Sequence, residues 1–383
     1  MRQLLKRFGI DNFILALFAA VAAAWLYPDF GARKGFFSLS TLANFCVSVI
    51  FFFYGLRLNW VKIRQGLSNV KMHVVVLLAS FLYFPLLALA IMAALGTTPT
   101  TGEIVAFESS AVATDAHNNE ESEGALANVD GDQSAEQSSV VSDDKILKTS
   151  IWLGVFFLAA LPSTVSSSVV MTNIARGNVP AAIFDASASS LLGIFITPIW
   201  MRLFIDASTG GREFTATFIT LLFQVLVPII IGVALNRKFG ETARKHEKWL
   251  GRSDQASIVL IVYVSFCNSF ADGMFHGLST KTLVVLTLGL VALFFLVYFS
   301  VYGVCKLLRF NREDKIATLF CGTKKSLVHG VTIARAIVGS PAMVGALILP
   351  TMIYHAMQLI VVSAIARRFA RTAPDAVSSE TQS

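Results

Sequence analysis

Phe320-Cys321-Gly322-Thr323-Lys324-Lys325-Ser326-Leu327-Val328-His329-Gly330 is the stretch on which the fold turns. It lies in an otherwise apolar run over 316–338, and two adjacent lysines fall near the middle. One charge at the centre of a membrane-crossing helix costs about 2.5–3.5 kcal/mol on the gentler insertion scale. Reading 320–326 as a loop would avoid that cost, but it leaves too few residues before Arg335 to cross a bilayer. A second stretch, Leu161-Pro162-Ser163-Thr164-Val165-Ser166-Ser167-Ser168, interrupts the run 150–174. Pro162 removes a backbone donor and pushes Leu161 away from helical dihedrals. Five hydroxyls in the six positions that follow exceed what a kink needs. Both stretches read as helices broken at mid-depth.

Composition agrees with a membrane setting. The 383 residues are 55% apolar and 14% charged, with a mean hydropathy of +0.67. A soluble domain carries about 25% charged residues. Several apolar runs approach the roughly 20 residues that span a bilayer. A soluble enzyme, a nucleic-acid reader and a disordered scaffold are excluded. The net charge of +7 does not indicate nucleic acid, because Lys and Arg cluster in short segments between apolar runs. Cys46, Cys267, Cys305 and Cys321 lie in or beside apolar runs without metal-ligand spacing, and read as small core residues.

The expected fold is an all-α integral membrane protein with ten transmembrane helices, at 12–28, 37–56, 72–96, 150–174, 180–204, 215–236, 256–274, 282–305, 316–338 and 342–366. With the N-terminus inside, 21 of the 31 Lys and Arg fall in inner segments. The expectation is therefore a plasma or inner membrane protein with both termini cytoplasmic, 367–383 being the cytoplasmic tail. The first run, after Arg2, Lys6 and Arg7, also fits a cleaved signal peptide; ten spans require that it stay. Residues 98–149 carry a local net charge of −9 and little that buries a core, so they read as an acidic, disordered outer loop inserted between spans.

Ten spans divide into two halves of five, and an odd number makes any repeat between them inverted. The fifth and tenth spans share a late proline, Pro198 and Pro350, and the fourth and ninth share the mid-depth interruption. Inverted five-helix repeats with discontinuous helices mark many secondary transporters, whose substrates bind at the breaks. Pro162, Ser163, Thr164, Ser166, Ser167 and Ser168 are expected to line one side of a substrate site, and Thr323, Lys324, Lys325 and Ser326 the other. Half-helix N-termini and a lysine favour a small organic anion. Asp185, a lone acid in the fifth span, is expected either to pair with a lysine or to stand at a helix start; His329 is expected to tune the lysine charge. No hydrolase elbow, HExxH, Walker A or Rossmann pattern occurs, and an enzyme is not expected.

Ser166-Ser167-Ser168-Val169-Val170-Met171-Thr172-Asn173-Ile174-Ala175-Arg176-Gly177-Asn178-Val179 resembles the fourth-span motif of bile acid:sodium symporters. Together with 187–195 and Cys321-Gly322-Thr323-Lys324-Lys325-Ser326-Leu327, it resembles the bile acid:sodium symporter-like family, in the solute carrier family 10 member 7 branch and its bacterial relatives. The resemblance implies a panel of spans 1, 2, 6 and 7 and a core of spans 3, 4, 5, 8, 9 and 10, with broken helices 4 and 9 crossing. It also implies alternating access. Where the family ligates sodium, this chain has Val169, Ala182, Ala186 and the two lysines, and only Ser168 remains of the ligands. A lysine is thus expected to replace bound sodium, with proton coupling or none. No cofactor is expected. The partners are the lipid bilayer and the anion, not nucleic acid; the oligomeric state stays open. The alternative implied by the branch is a regulator of cellular calcium that transports nothing.

Overall fold

The computed structural model describes residues 12–32, 39–57, 69–98, 148–209, 222–271, 278–337 and 341–372. The expected acidic loop, apart from its edges, and the tail beyond 372 lie outside these residues. The helices are α1 (Asn12–Leu26), α2 (Pro28–Ala32), α3 (Leu39–Arg57), α4 (Val70–Ala94), α5 (Lys148–Ala160), α6 (Val165–Ile174) and α7 (Val179–Thr209). They continue with α8 (222–245), α9 (Glu247–Ala271), α10 (Thr280–Leu307), α11 (Arg312–Gly322), α12 (Leu327–Ile337) and α13 (Pro341–Arg371). No strand occurs among the described residues.

Six of these helices are long and apolar enough to cross a membrane: α3, α4, α7, α9, α10 and α13. α1 and α5 are shorter apolar helices. The expected fourth span is divided into α5 and α6, and the expected ninth into α11 and α12. Burial runs opposite to that of a water-soluble protein. Leu288 and Phe299 are each 63% exposed, whereas Lys324 and Lys325 are 0% exposed. Many large apolar side chains face outward, and these two lysines lie within.

α3 packs along α8, and α9 packs against α1, α2 and α3. The other helices pack around α7, α11 and α13, and α9 also packs against α13. Where apolar burial gives no drive between helices in lipid, association depends on close approach of small residues. α3 and α8 show this. A Cβ on Gly55 would collide with the Ile229 carbonyl, and one on Gly232 with the Phe52 carbonyl.

α4 contains a π-turn over Ala79–Tyr83, just before Pro85. The Phe84 amide donates to the Ala79 carbonyl, one residue further back than in an α-helix. The Ser80 carbonyl would then need the amide of residue 85, which is proline. It is left without a partner in its own helix.

At one end of the fold three helix starts meet. Asn69, Asn178 and Asn311 accept the first-turn amides of Met72, Ala181 and Asp314, capping α4, α7 and α11. All three side-chain amides donate to the buried Asp314 carboxylate, at 2.6, 2.8 and 3.0 Å. Arg312 reaches the Ala175 and Phe369 carbonyls and so ties the ends of α6 and α13 to the same knot. Gly232→Ala should lower the stability of the purified protein by about 1–3 kcal/mol through overpacking. Gly289→Ala, where nothing lies within 4 Å of the new methyl, should leave stability unchanged or raise it; thermal unfolding in detergent separates the two.

Candidate functional site

Pro162 sets the first half of the site. It has no N–H for the Leu158 carbonyl, which instead accepts from the Leu161 amide at 3.2 Å. The Ser163 amide turns away to the Ser189 hydroxyl, at 3.0 Å, so the Ala159 carbonyl also loses its helical partner. The carbonyls exposed between α5 and α6 then pair with other helices. Ala160 accepts from the Thr197 hydroxyl at 2.8 Å. Pro162 accepts from the Ser326 amide at 2.8 Å. Ala159 and Leu161 accept from the Lys325 ammonium, at 2.7 and 2.8 Å. In lipid such groups have no water to fall back on, so each pairing is obligatory.

The second break is bound to the first. Besides the Ser326–Pro162 bond, Ser168 donates to the Phe320 carbonyl at 3.2 Å. The two interruptions therefore touch. Gln358, on α13, holds the Lys325 peptide from both sides, accepting from its amide at 2.9 Å and donating to its carbonyl at 2.7 Å. The Tyr354 hydroxyl donates to the Thr323 carbonyl at 2.8 Å. Ser326 caps α12 through the His329 amide.

The geometry gives the lysines different roles. Lys325 donates to three carbonyls, the third being the orphaned Ser80 carbonyl of α4 at 2.9 Å, and its ammonium lies 4.3 Å from the centre of the Phe84 ring. All three donors are engaged with the protein. Among the described residues Lys324 makes one hydrogen bond, to the Ser167 hydroxyl at 2.7 Å. Ser167 and Ser168 both lie within bonding distance of the Thr164 hydroxyl, at 2.8 and 3.3 Å, so a hydroxyl cluster stands beside this ammonium. Ser163 is 3.5 Å from Ser168, and Ser166 lies in the first turn of α6.

The lysine pairing, one of two alternatives for Asp185, is corrected. Asp185 does not pair with a lysine; one carboxylate oxygen lies 2.7 Å from His73 Nδ1 on α4, and the other is buried without a hydrogen bond. Asp185 is near the start of α7, opposite the first turns of α4, so His73 reaches it, while backbone carbonyls hold Lys325. His329 bonds no lysine either: its Nδ1 is 3.0 Å from the Ser326 hydroxyl, and its ring stands edge-on to Phe51 and Tyr54 of α3. Sequence reasoning overlooked Ser80, Ser189, Thr197, Tyr354 and Gln358. The polar pair Tyr354 and Gln358, one helical turn apart in an apolar run, is the one signal that was available.

An apolar, all-helical fold with six helices long enough to cross a membrane and two lysines buried at helix interruptions is that of a membrane protein. The chain belongs to the SBF-like CPA transporter family, whose sequence profile matches residues 11–371. An uncharacterized protein of Pseudomonas aeruginosa is 34% identical over 375 residues, 97% of each chain. YfeH of Escherichia coli is 29% identical over 363 residues, 94% of this chain and 93% of its own. Sodium/bile acid cotransporter 7 of Xenopus tropicalis is 26% identical over 365 residues, 94% of this chain and 92% of its own.

Lys325→Ala should fail to give a stable protein. It orphans three buried carbonyls, each worth about 1–3 kcal/mol. Lys324→Ala, which frees one hydroxyl, should fold and melt near the wild type. Size-exclusion profiles and thermal midpoints in detergent check both.

Proposed function

We propose that the chain is a secondary carrier of a small organic anion, working by alternating access without bound sodium. The observation that carries this reading is the unequal pair of lysines: Lys325 fills a cage of carbonyls, and Lys324 makes one hydrogen bond among the described residues, beside the hydroxyl cluster. Three carbonyl oxygens around one cation are the ligand set a hard monovalent ion takes. With a covalently tethered ammonium in that cage, a sodium ion would meet a like charge at contact distance, a repulsion that low dielectric strengthens. Lys324 is then the charge left for an anion, with Thr164, Ser167 and Ser168 supplying hydroxyls.

The relatives named as sodium/bile acid cotransporters support the transport class. Ten crossings follow if α5 with α6, and α11 with α12, each count as one broken span beside α1, α3, α4, α7, α8, α9, α10 and α13. An inverted repeat is supported by how each break is held. A side chain of the following helix, Ser189 on α7 and Gln358 on α13, accepts the stray amide at the interruption. α3, α8, α9 and α1 would form the panel and the remaining helices the core, with substrate between them. The basic ends of α3 and α8, at Arg57, Arg244 and Lys245, support a cytoplasmic side for those ends.

Purified protein in liposomes, assayed with labelled organic anions that include taurocholate, tests the reading. Uptake should be equal in sodium and choline, and lost in Lys324→Ala. Uptake that requires sodium would overturn the ammonium-for-sodium reading. Uptake unchanged in Lys324→Ala would remove that lysine from the site.

A further inference from the structure

Arg335 is an arginine, always charged at physiological pH, and only 8% exposed. It lies in the last turn of α12, about 12 Å along the helix axis from Leu327 at its start. Its Nε donates to the Asn44 side-chain oxygen at 3.0 Å, and one terminal nitrogen donates to the Ser40 carbonyl at 3.4 Å. The other terminal nitrogen, Nη1, is buried with no hydrogen-bond partner. No carboxylate forms an ion pair with it among the described residues; the ion pairs there are Arg57–Asp254, His73–Asp185 and Lys245–Glu241.

A buried guanidinium with neutral partners and one empty donor is an expensive arrangement. The C-terminal end of α12 eases it, since cations are favoured there. The first turns of α3 do not, because a helix start favours anions instead. Both acceptors, Ser40 and Asn44, belong to α3. Asn44 is exposed, so the place is reached from outside the core. The same two helices touch again where the His329 ring meets Phe51 and Tyr54.

We propose that Arg335, with Asn44, is an oxyanion-binding station between α3 and α12, distinct from the crossing, where a carboxylate or sulfate group of the transported anion is first held. The planar fork takes such a group through two parallel bonds. One falls to the empty Nη1, and the other to a nitrogen that now holds α3. Capture of the anion competes with the Arg335–Asn44 and Arg335–Ser40 bonds, so binding loosens α3 from α12. This inference rests on the carrier reading, but it assigns the first contact to Arg335 and not to Lys324.

The test is thermal unfolding of the full chain in detergent, in sodium chloride, with sodium succinate and sodium sulfate titrated at constant ionic strength. Wild type, Arg335→Gln, Arg335→Lys and Lys324→Ala are compared. Arg335→Gln, which removes a charge lacking a counter-charge, should be at least as stable as the wild type in chloride. Succinate or sulfate should raise the midpoints of the wild type and Lys324→Ala, raise that of Arg335→Lys less, and leave Arg335→Gln unmoved. Arg335→Gln melting lower in chloride and responding to oxyanions like the wild type would make Arg335 a structural brace and overturn the proposal. A shift lost in Lys324→Ala but kept in Arg335→Gln would also overturn it while leaving the carrier reading intact. No shift in any protein would remove the oxyanion station, and the liposome uptake assay would then decide the carrier reading separately.

Discussion

The three bonds from the Lys325 ammonium to the Ser80, Ala159 and Leu161 carbonyls are the constraint on which the crossing depends. A helix cannot be interrupted in a membrane unless every released backbone group finds a partner. Pro162 strips partners from α5, and Pro85 strips one from α4. One side chain, from the break between α11 and α12, collects three of the orphans. A neutral amide could not do so, because it has two donors. The charge is stabilised in turn by the carbonyl dipoles and the Phe84 ring, so a group that is costly in lipid becomes the fastening of the fold.

Two groups of helices are held in different ways. Around the crossing, α4, α7, α11 and α13 are linked by side chain to backbone bonds, and the Asp314 knot locks their far ends. α3 and α8 are held to each other by close backbone approach at Gly55 and Gly232. α3 is also tied to α12 by Arg335 with Asn44 and Ser40, and to α7 by the Tyr54 hydroxyl on the Ser187 carbonyl.

Much of this was legible in the residues. Pro162 and the hydroxyls after it gave the first break, and Lys324 and Lys325 marked the second, because both violate what an uninterrupted apolar helix permits. The membrane class followed from composition, and the panel and core grouping came only from resemblance. Which lysine was fastened could not be read, since Lys325 is held by main-chain carbonyls, and a carbonyl looks the same at every position of a sequence. That Asp185 meets His73 could not be read for a similar reason: His73 lies far from it in the chain, and nothing local marks the meeting. Arg335 stands near the end of the expected ninth span, a place that concealed its burial.

The π-turn of α4 carries a consequence for how this chain can vary. Pro85 withholds the amide that would otherwise bond the Ser80 carbonyl, and that absence gives Lys325 its third acceptor. The two positions are remote in sequence yet answer to one electrostatic condition. Restoring an N–H at 85 makes the lysine's third donor surplus; removing the lysine makes the proline a liability. Drift at either site is thus conditional on the other, so lineages that lose one are expected to lose both.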